Sequence, residues 1–376
     1  MRIAVIGRGL IGAAASRHLA LRGHEVVAIG PDEPGNKRAH DGVFASHYDE
    51  GRITRALDPV PFWSRASRES IARYARIATD SGVAFFTETG ALIAGPATGE
   101  GMARTAALAA QEGIAHRELR GDALRAAFPF FDFPDETLAL HERAGAGHVS
   151  PRRLVQAQGI AAERAGARML RATVDGVHED QGAVTVRTDA GVVTADRALV
   201  AAGAFTGGLL PGAVPLEVFA RTVCFFEIDA EEATRLAEMP TLVYLTGAAA
   251  NPYLLPPIRY PDGRIYLKLG GNPGDPTLPD SAAIGDWFRS GGDAAAGRML
   301  EDMLHQRMPG LRVRATRIEP CVTAYTPSGR PHLEMVGDRI AVAAGACGRG
   351  AKCSDELGRL GAEVVLGRGL PDWARA

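Results

Sequence analysis

Lysine is nearly missing from this sequence: of 42 basic residues only Lys37, Lys268 and Lys352 are lysine, and the rest are arginine. Ordinary positive charge is therefore written as arginine. Each lysine either marks a place that needs a compact ammonium or a movable proton, or stands there by chance. Cysteine is as sparse. Four in 376 residues (Cys224, Cys321, Cys347 and Cys353), none in CxxC spacing, exclude a disulfide framework and make a reducing cytoplasm the expected compartment. The net charge of -2 carries no basic excess of the kind that binds a phosphate backbone, so nucleic acid is not an expected partner. No apolar run is long enough to span a membrane, and the apolar start Met1–Ile6 breaks at Gly7-Arg8 without a signal-peptide pattern. The ten histidines lack metal-ligand spacing, with His40 and His47 reading as polar loop residues, so no metal is expected. Internal repeats and low-complexity segments are absent too, which removes solenoid and linker readings.

What is present is best organised at the amino terminus. A chain of 376 residues has a length prior of about two domains. Arg2–Ile6 reads as a buried strand, Gly7-Arg8-Gly9-Leu10-Ile11-Gly12 as a glycine turn entering a helix, and Glu25–Ile29 as a second buried strand. GxGxxG alone is weak; between a strand and a helix it is a dinucleotide fingerprint. Gly7 permits the tight turn, Gly9 lets backbone approach a pyrophosphate, and Gly12 lets helix and sheet pack closely. The second strand ends in Gly30, where an acidic ribose partner is usual. Asp32 or Glu33 then fills that role, or Pro31–Gly35 is a solvated turn. Later, the alternating stretch from Val174 to Val193 predicts a hairpin feeding the buried strand Ala198–Ala202, which ends on Gly203. Ile340–Ala344 predicts another buried strand, followed by Gly348-Arg349-Gly350 and a helix capped by Ser354 with Asp355 and Glu356 in its first turn. The cofactor domain is therefore expected to be discontinuous.

These residues resemble the FAD-dependent amine oxidases around monomeric sarcosine oxidase and N-methyltryptophan oxidase, within the D-amino acid oxidase superfamily. The matching stretches are Gly7–Gly12, Ser46–Arg55, Ala202–Phe205, Leu267–Gly270, Cys321 through Pro327, and Ala343 through Lys352. The resemblance implies an α/β and α+β fold. A Rossmann-like FAD-binding domain would comprise residues 1–80, 146–214 and 320–376, and a substrate domain on a mixed β-sheet residues 81–145 and 215–319. FAD would be held by Gly7, Gly9, Leu10, Ile11, Gly12, Asp32 or Glu33, Ser46, Arg52, Val174, Gly203, Gly348, Gly350 and Lys352. By the same resemblance Arg55 and Lys352 are the two cations that clamp a substrate carboxylate. Lys268 faces the flavin away from substrate and promotes reaction with oxygen, and Arg52 helps set the electronics of the ring. Read only from its strand, Lys268 is an exposed edge lysine. Cys321 matches a cysteine bonded covalently to the flavin; a competing register puts Thr323 there and leaves FAD noncovalent. Tyr253 matches an aromatic residue beside the substrate, or is core packing.

Two departures bear on substrate: Asn272 and Arg349 each stand where the family has a histidine. Arg349 either adds a third cation, suited to a second acidic group, or only closes its loop. The expected function is an oxidase of a secondary or cyclic amino acid or carboxylated amine. Hydride passes from the carbon beside nitrogen to flavin N5, giving an imine, and O2 becomes H2O2. The expected partners are a small amine or amino acid and O2, with the chain a monomer or weak homodimer. The alternatives are a flavin-dependent D-amino acid or glycine dehydrogenase or oxidase passing electrons to another acceptor, a flavoprotein subunit without amine turnover, and an NAD-dependent dehydrogenase.

Overall fold

The computed structural model describes residues 1–180, 182–246, 251–271 and 274–375; Asn272 therefore lies outside the described residues. The six-stranded sheet at the amino terminus runs in the order His332–Met335, Ile340–Ala344, Arg197–Val200, Arg2–Ile6, Glu25–Ile29, Arg168–Leu170. All neighbours are parallel except the edge pair His332–Met335 and Ile340–Ala344. The period-two alternation of side chains explains how both faces are covered. Ile3 and Val5 pack beneath the helices Leu10–Ala20 and Gly350–Val365, whose Ala15, Leu19, Leu357 and Leu360 share their cluster. Ala4 and Ile6 face the other way, against Val177, Val184, Val186 and Val193 of the three-stranded sheet Val174–Asp180, Ala183–Thr188, Gly191–Ala195. The strand expected to end on Gly203 is Arg197–Val200, which pairs directly with Arg2–Ile6.

The second sheet has nine strands and is mixed, because Thr241–Tyr244 runs parallel to Ala91–Pro96 whereas its other pairings are antiparallel. Its longest ladder joins Glu217–Ile228 to Ala315–Tyr325, with Arg221 opposite Cys321. The latter strand lies in this sheet along its whole length, so a boundary drawn at residue 320 cuts through it. Cys321 is thus presented from the second sheet, and Gly7 from the first. A small sheet of Arg52–Thr54, Gly147–Val149 and Phe86–Thr87 carries Arg52 between them.

One expectation needs correction. The last long helix starts at Gly350, and Arg349, not Ser354, is its N-cap residue. Asp355 and Glu356 lie inside it as buried anions: Asp355 accepts Arg17 Nη2 at 2.7 Å and Gln158 Nε2 at 2.8 Å, and both carboxylates take Arg73. They tie three helices together, and His18, whose Nε2 lies 3.2 Å from Asp355 Oδ1, followed by Arg17 and Arg73, holds the Asp355 carboxyl well below its usual range against the opposing effect of burial.

Candidate active site

Between the two sheets lies a cleft of about 700 Å³. At one end the glycine turn has the geometry its spacing requires. Gly7 has φ +104°, and a Cβ there would lie 2.3 Å from the Ala201 carbonyl oxygen; one on Gly12 would lie 1.8 Å from Gly7 O. A Cβ on Gly9 would meet only His47 Nδ1, at 3.7 Å, so the turn is open on the cleft side. The helix Leu10–Ala20 has no side-chain cap and no acid in its first turn, which leaves its N-terminal N–H groups and positive dipole end to an anion. His47, expected to be a polar loop residue, instead lines the cleft with its Nδ1 buried and unpartnered. Burial first, then neighbouring arginines, lower its pKa to about 4, so its ring is neutral at pH 7.

The cleft wall beyond the second strand is built by Gly30 and Pro31, with Arg8 Nη1 donating to Gly30 O at 2.9 Å. Asp32 is paired with Arg8 and Arg171, and Glu33 binds Arg152 through both oxygens at 2.7 and 2.8 Å. Both ribose candidates are thus engaged by arginine, and neither is part of the cleft wall. Ser46, Val174, Gly203, Gly348 and Gly350 do line it.

At the centre, Cys321 and Thr323 sit two residues apart on one strand and both reach the cleft. The Thr323 hydroxyl accepts Arg221 Nε at 3.0 Å, whereas the half-buried Cys321 thiol is met by Arg52 Nη2 at 3.5 Å. Trp287 Nε1 donates to the Cys321 carbonyl at 2.8 Å, fixing this stretch of strand. Arg52 also bonds Ser46 O at 3.3 Å and forms an ion pair with Asp49. Lys268 is fully buried, not an exposed edge residue, because its strand is paired on both sides. Its Nζ bonds Asp49 and the Gly51 carbonyl, the latter at 2.9 Å. Burial, then the Arg52 charge, push the ammonium well below the usual lysine range, although Asp49 is its ion-pair partner.

At the far end Arg55, Arg349 and Lys352 converge on the cleft, with side chains 12%, 32% and 5% exposed. Arg349 and Lys352 come from the start of the last long helix, which also lacks a side-chain cap. Arg55 Nη1 is buried without a hydrogen bond. Tyr253 lines the same wall as Asn251. The cysteine before Gly348, Cys347, holds φ +49°, the kind of backbone strain that clusters at functional sites. Sequence reasoning missed the carboxylates behind these cations, Asp49 and Asp58. Asp58 is buried and accepts Lys352 Nζ at 2.8 Å and Arg349 Nε at 3.2 Å. Burial alone would raise its carboxyl; Lys352, Arg55 and Arg349 hold it far below the usual range.

A mostly parallel sheet with a glycine turn, an uncapped helix N-terminus and an extended cleft shared with a mixed sheet are the features of a dinucleotide-binding protein. The chain belongs to the DAO family of FAD dependent oxidoreductases, whose model matches residues 2–364. Over 382 residues, 97% of its length, it is 23% identical to N-methyl-L-tryptophan oxidase of Salmonella newport (strain SL254), covering 94% of that protein. Among solved structures it is similar to NikD, an unusual amino acid oxidase essential for nikkomycin biosynthesis, with a TM-score of 0.78 and 20% identity over 99% of this chain and 96% of that one. It is also similar to iminodiacetate oxidase from Chelativorans sp. BNC1, with a TM-score of 0.72 and 21% identity over 98% and 97% of the two chains. No helix among the described residues is long and apolar enough to cross a membrane.

Proposed function

We propose that this protein is an FAD-dependent oxidase of a secondary or cyclic amino acid, or of another amine that carries a carboxylate. Bound FAD supplies the two-electron chemistry, accepting a hydride from the carbon beside nitrogen and returning the electrons to O2 as H2O2. The residues present fit that group: Gly7, Gly9 and Gly12 leave room for a pyrophosphate at the helix N-terminus, and His47 Nδ1 waits unpartnered beside it. Ser46, Val174, Gly203, Gly348 and Gly350 complete the proposed cofactor wall, with Cys321 as the covalent anchor.

The observation that carries the reading is the cation cluster. A guanidinium whose Nη1 is buried without a hydrogen bond, 3.5 Å from its counter-ion Asp58, beside a nearly buried ammonium, with both residues lining an open cleft, is a site built for an anion. Arg55 and Lys352 would clamp the substrate carboxylate, and Tyr253 would flank the substrate, so that the carbon beside nitrogen is fixed over the flavin. With the amine bound neutral, no side chain has to take its proton for hydride transfer. Arg52 and Lys268 are charge stabilisers in this reading: both lie in a low-dielectric region where a fixed cation favours negative charge developing nearby.

Anaerobic titration of the yellow protein with a panel of secondary and cyclic amino acids tests this. Bleaching of the visible band by a carboxylated amine, with colour restored and H2O2 formed on admitting air, is the expected result. A bleached enzyme that air does not reoxidise, but an artificial acceptor does, would instead make it a dehydrogenase. A protein that binds no flavin would overturn the reading.

A further inference from the structure

The three cations at the substrate end share one oxygen. Asp58 Oδ2 takes Lys352 at 2.8 Å and Arg349 at 3.2 Å, and lies 3.5 Å from Arg55 Nη1. Its Oδ1 accepts the Val60 N–H at 3.1 Å, which fixes the rotation of the carboxylate. Asp58 does not line the cleft; the cations do. They come from the segment after Arg52–Thr54 and from the last helix, nearly 300 residues apart in sequence, and without a negative centre they would repel one another.

We propose that Asp58 is a positioning residue for substrate, the standing counter-ion that gathers Arg55, Arg349 and Lys352 into one anion site. The proposal rests on the oxidase reading above and deepens it. Asp58 does not exhaust the donors it gathers. Lys352 has three N–H groups and Arg55 Nη1 makes no hydrogen bond, so a substrate carboxylate still finds partners.

The charges around Lys352 give the proposal a pH signature. Burial and Arg55 disfavour its ammonium and Asp58 favours it. Arg349 adds a further positive charge through their shared partner Asp58. Glu142 sits behind Arg55, accepting the Ala56 and Leu57 N–H groups at 2.9 to 3.0 Å. The Cys353 thiol, pushed up to about 12 by burial, and the Tyr74 hydroxyl, 3.4 Å from the Lys352 carbonyl, complete the surroundings and stay neutral at pH 7. Removing the Asp58 charge has opposite effects at the two ends of the pH range. At low pH Lys352 remains charged, and the loss of the centre that gathers the cations is offset because an incoming carboxylate meets one negative charge fewer. At high pH Lys352 loses its proton earlier, and affinity falls.

The experiment titrates flavin-loaded enzyme with cyclopentanecarboxylate, which has no amine to oxidise, and reads the perturbed flavin spectrum from pH 6 to 10. Wild type, Asp58→Asn, Asp58→Glu and Lys352→Met are compared. Relative to wild type, the Asn variant is expected to lose at least about tenfold more affinity at pH 9 than at pH 6. Its affinity should be half lost at least about one pH unit earlier. The Glu variant, which keeps the charge, should stay within about half a unit of wild type, and this comparison stands even if the Asn variant does not fold. An Asn profile superimposed on wild type, or a Glu profile shifted as far as about one unit, overturns the proposal while Lys352→Met still reports the clamp. A wild-type enzyme that binds no carboxylate at any pH overturns the clamp reading and the proposal with it.

Discussion

Lys268 and Asp49, 219 residues apart in sequence, meet as a buried ion pair under Arg52. Asp49 also accepts the Tyr260 hydroxyl at 2.9 Å and the Glu50 and Gly51 N–H groups at 2.8 and 3.4 Å, so its charge is held in place by five partners. Two cations share this one carboxylate, which leaves a positive surplus in a dry region beside the cleft. Such a surplus acts on negative charge arising during reaction with oxygen, whereas Arg55 and Lys352, the carboxylate clamp, are paired to a different anion, Asp58. Lys268→Met should therefore leave the anaerobic rate of flavin reduction within about twofold of wild type and slow reoxidation by O2 by about a hundredfold. Stopped-flow measurement of the two half-reactions separates them. Reoxidation at the wild-type rate would remove Lys268 from the oxygen reaction.

How far the sequence carried can be judged at these same residues. Gly7, Gly9 and Gly12 were legible because strand, turn and helix are contiguous, and local spacing alone sets their geometry. Lys352 and Lys268 stood out through scarcity. Asp49 and Asp58 did not, because what makes each important is a partner from a distant segment: Asp58 reads locally as an Asp-Pro turn until Lys352 arrives from the last helix. Ser354 misled for the complementary reason. A good capping residue followed by two acids is a sound local signal, but Asp355 and Glu356 are spent on Arg17 and Arg73, and the helix begins earlier at the cleft.

Arg55→Ala tests the anion site directly. Truncation removes the guanidinium whose Nη1 is buried without a hydrogen bond, and Lys352 remains with Asp58 as its counter-ion. KM for a carboxylated substrate should rise by ten- to a hundredfold, about 1.4 to 2.7 kcal/mol of lost binding. The limiting rate should change less. An amine without a carboxylate should be turned over equally by variant and wild type; a loss that is the same for both kinds of substrate would mean that Arg55 supports the fold and not the clamp.

His148 predicts an acid limit to stability. It is buried on the strand Gly147–Val149, opposite Ile53 of the strand that carries Arg52, and its Nδ1 has no partner. Burial, then Arg153, lower its pKa to about 4. A histidine whose folded pKa is depressed contributes stability that is fully present above its unfolded value, near 6.5, and is lost as pH falls towards 4, because the unfolded chain takes the proton first. Each pH unit in that window should cost up to about 1.4 kcal/mol. His148→Asn should flatten the fall of Tm between pH 6.5 and 4, where wild type declines. Parallel Tm profiles would show that other groups set the acid limit.

Cys321 is the residue on which the form of the cofactor turns. Its thiol faces the cleft, with Arg52 Nη2 at 3.5 Å. The competing position, Thr323, has its hydroxyl engaged by Arg221 and is no thiol, so of the two registers only the one that places Cys321 at the flavin gives a thioether. Acid precipitation of the purified protein should leave the yellow colour in the pellet, and Cys321→Ala should release it to the supernatant. The variant should also be a weaker oxidant, because a sulfur substituent withdraws electrons from the ring. Spectroelectrochemical titration should place its flavin potential below that of the wild type. If wild-type colour leaves with the acid supernatant, FAD is held by the glycine turn and cleft wall alone, and the Cys321 thiol is a half-buried neighbour of Arg52 with no bond to the cofactor.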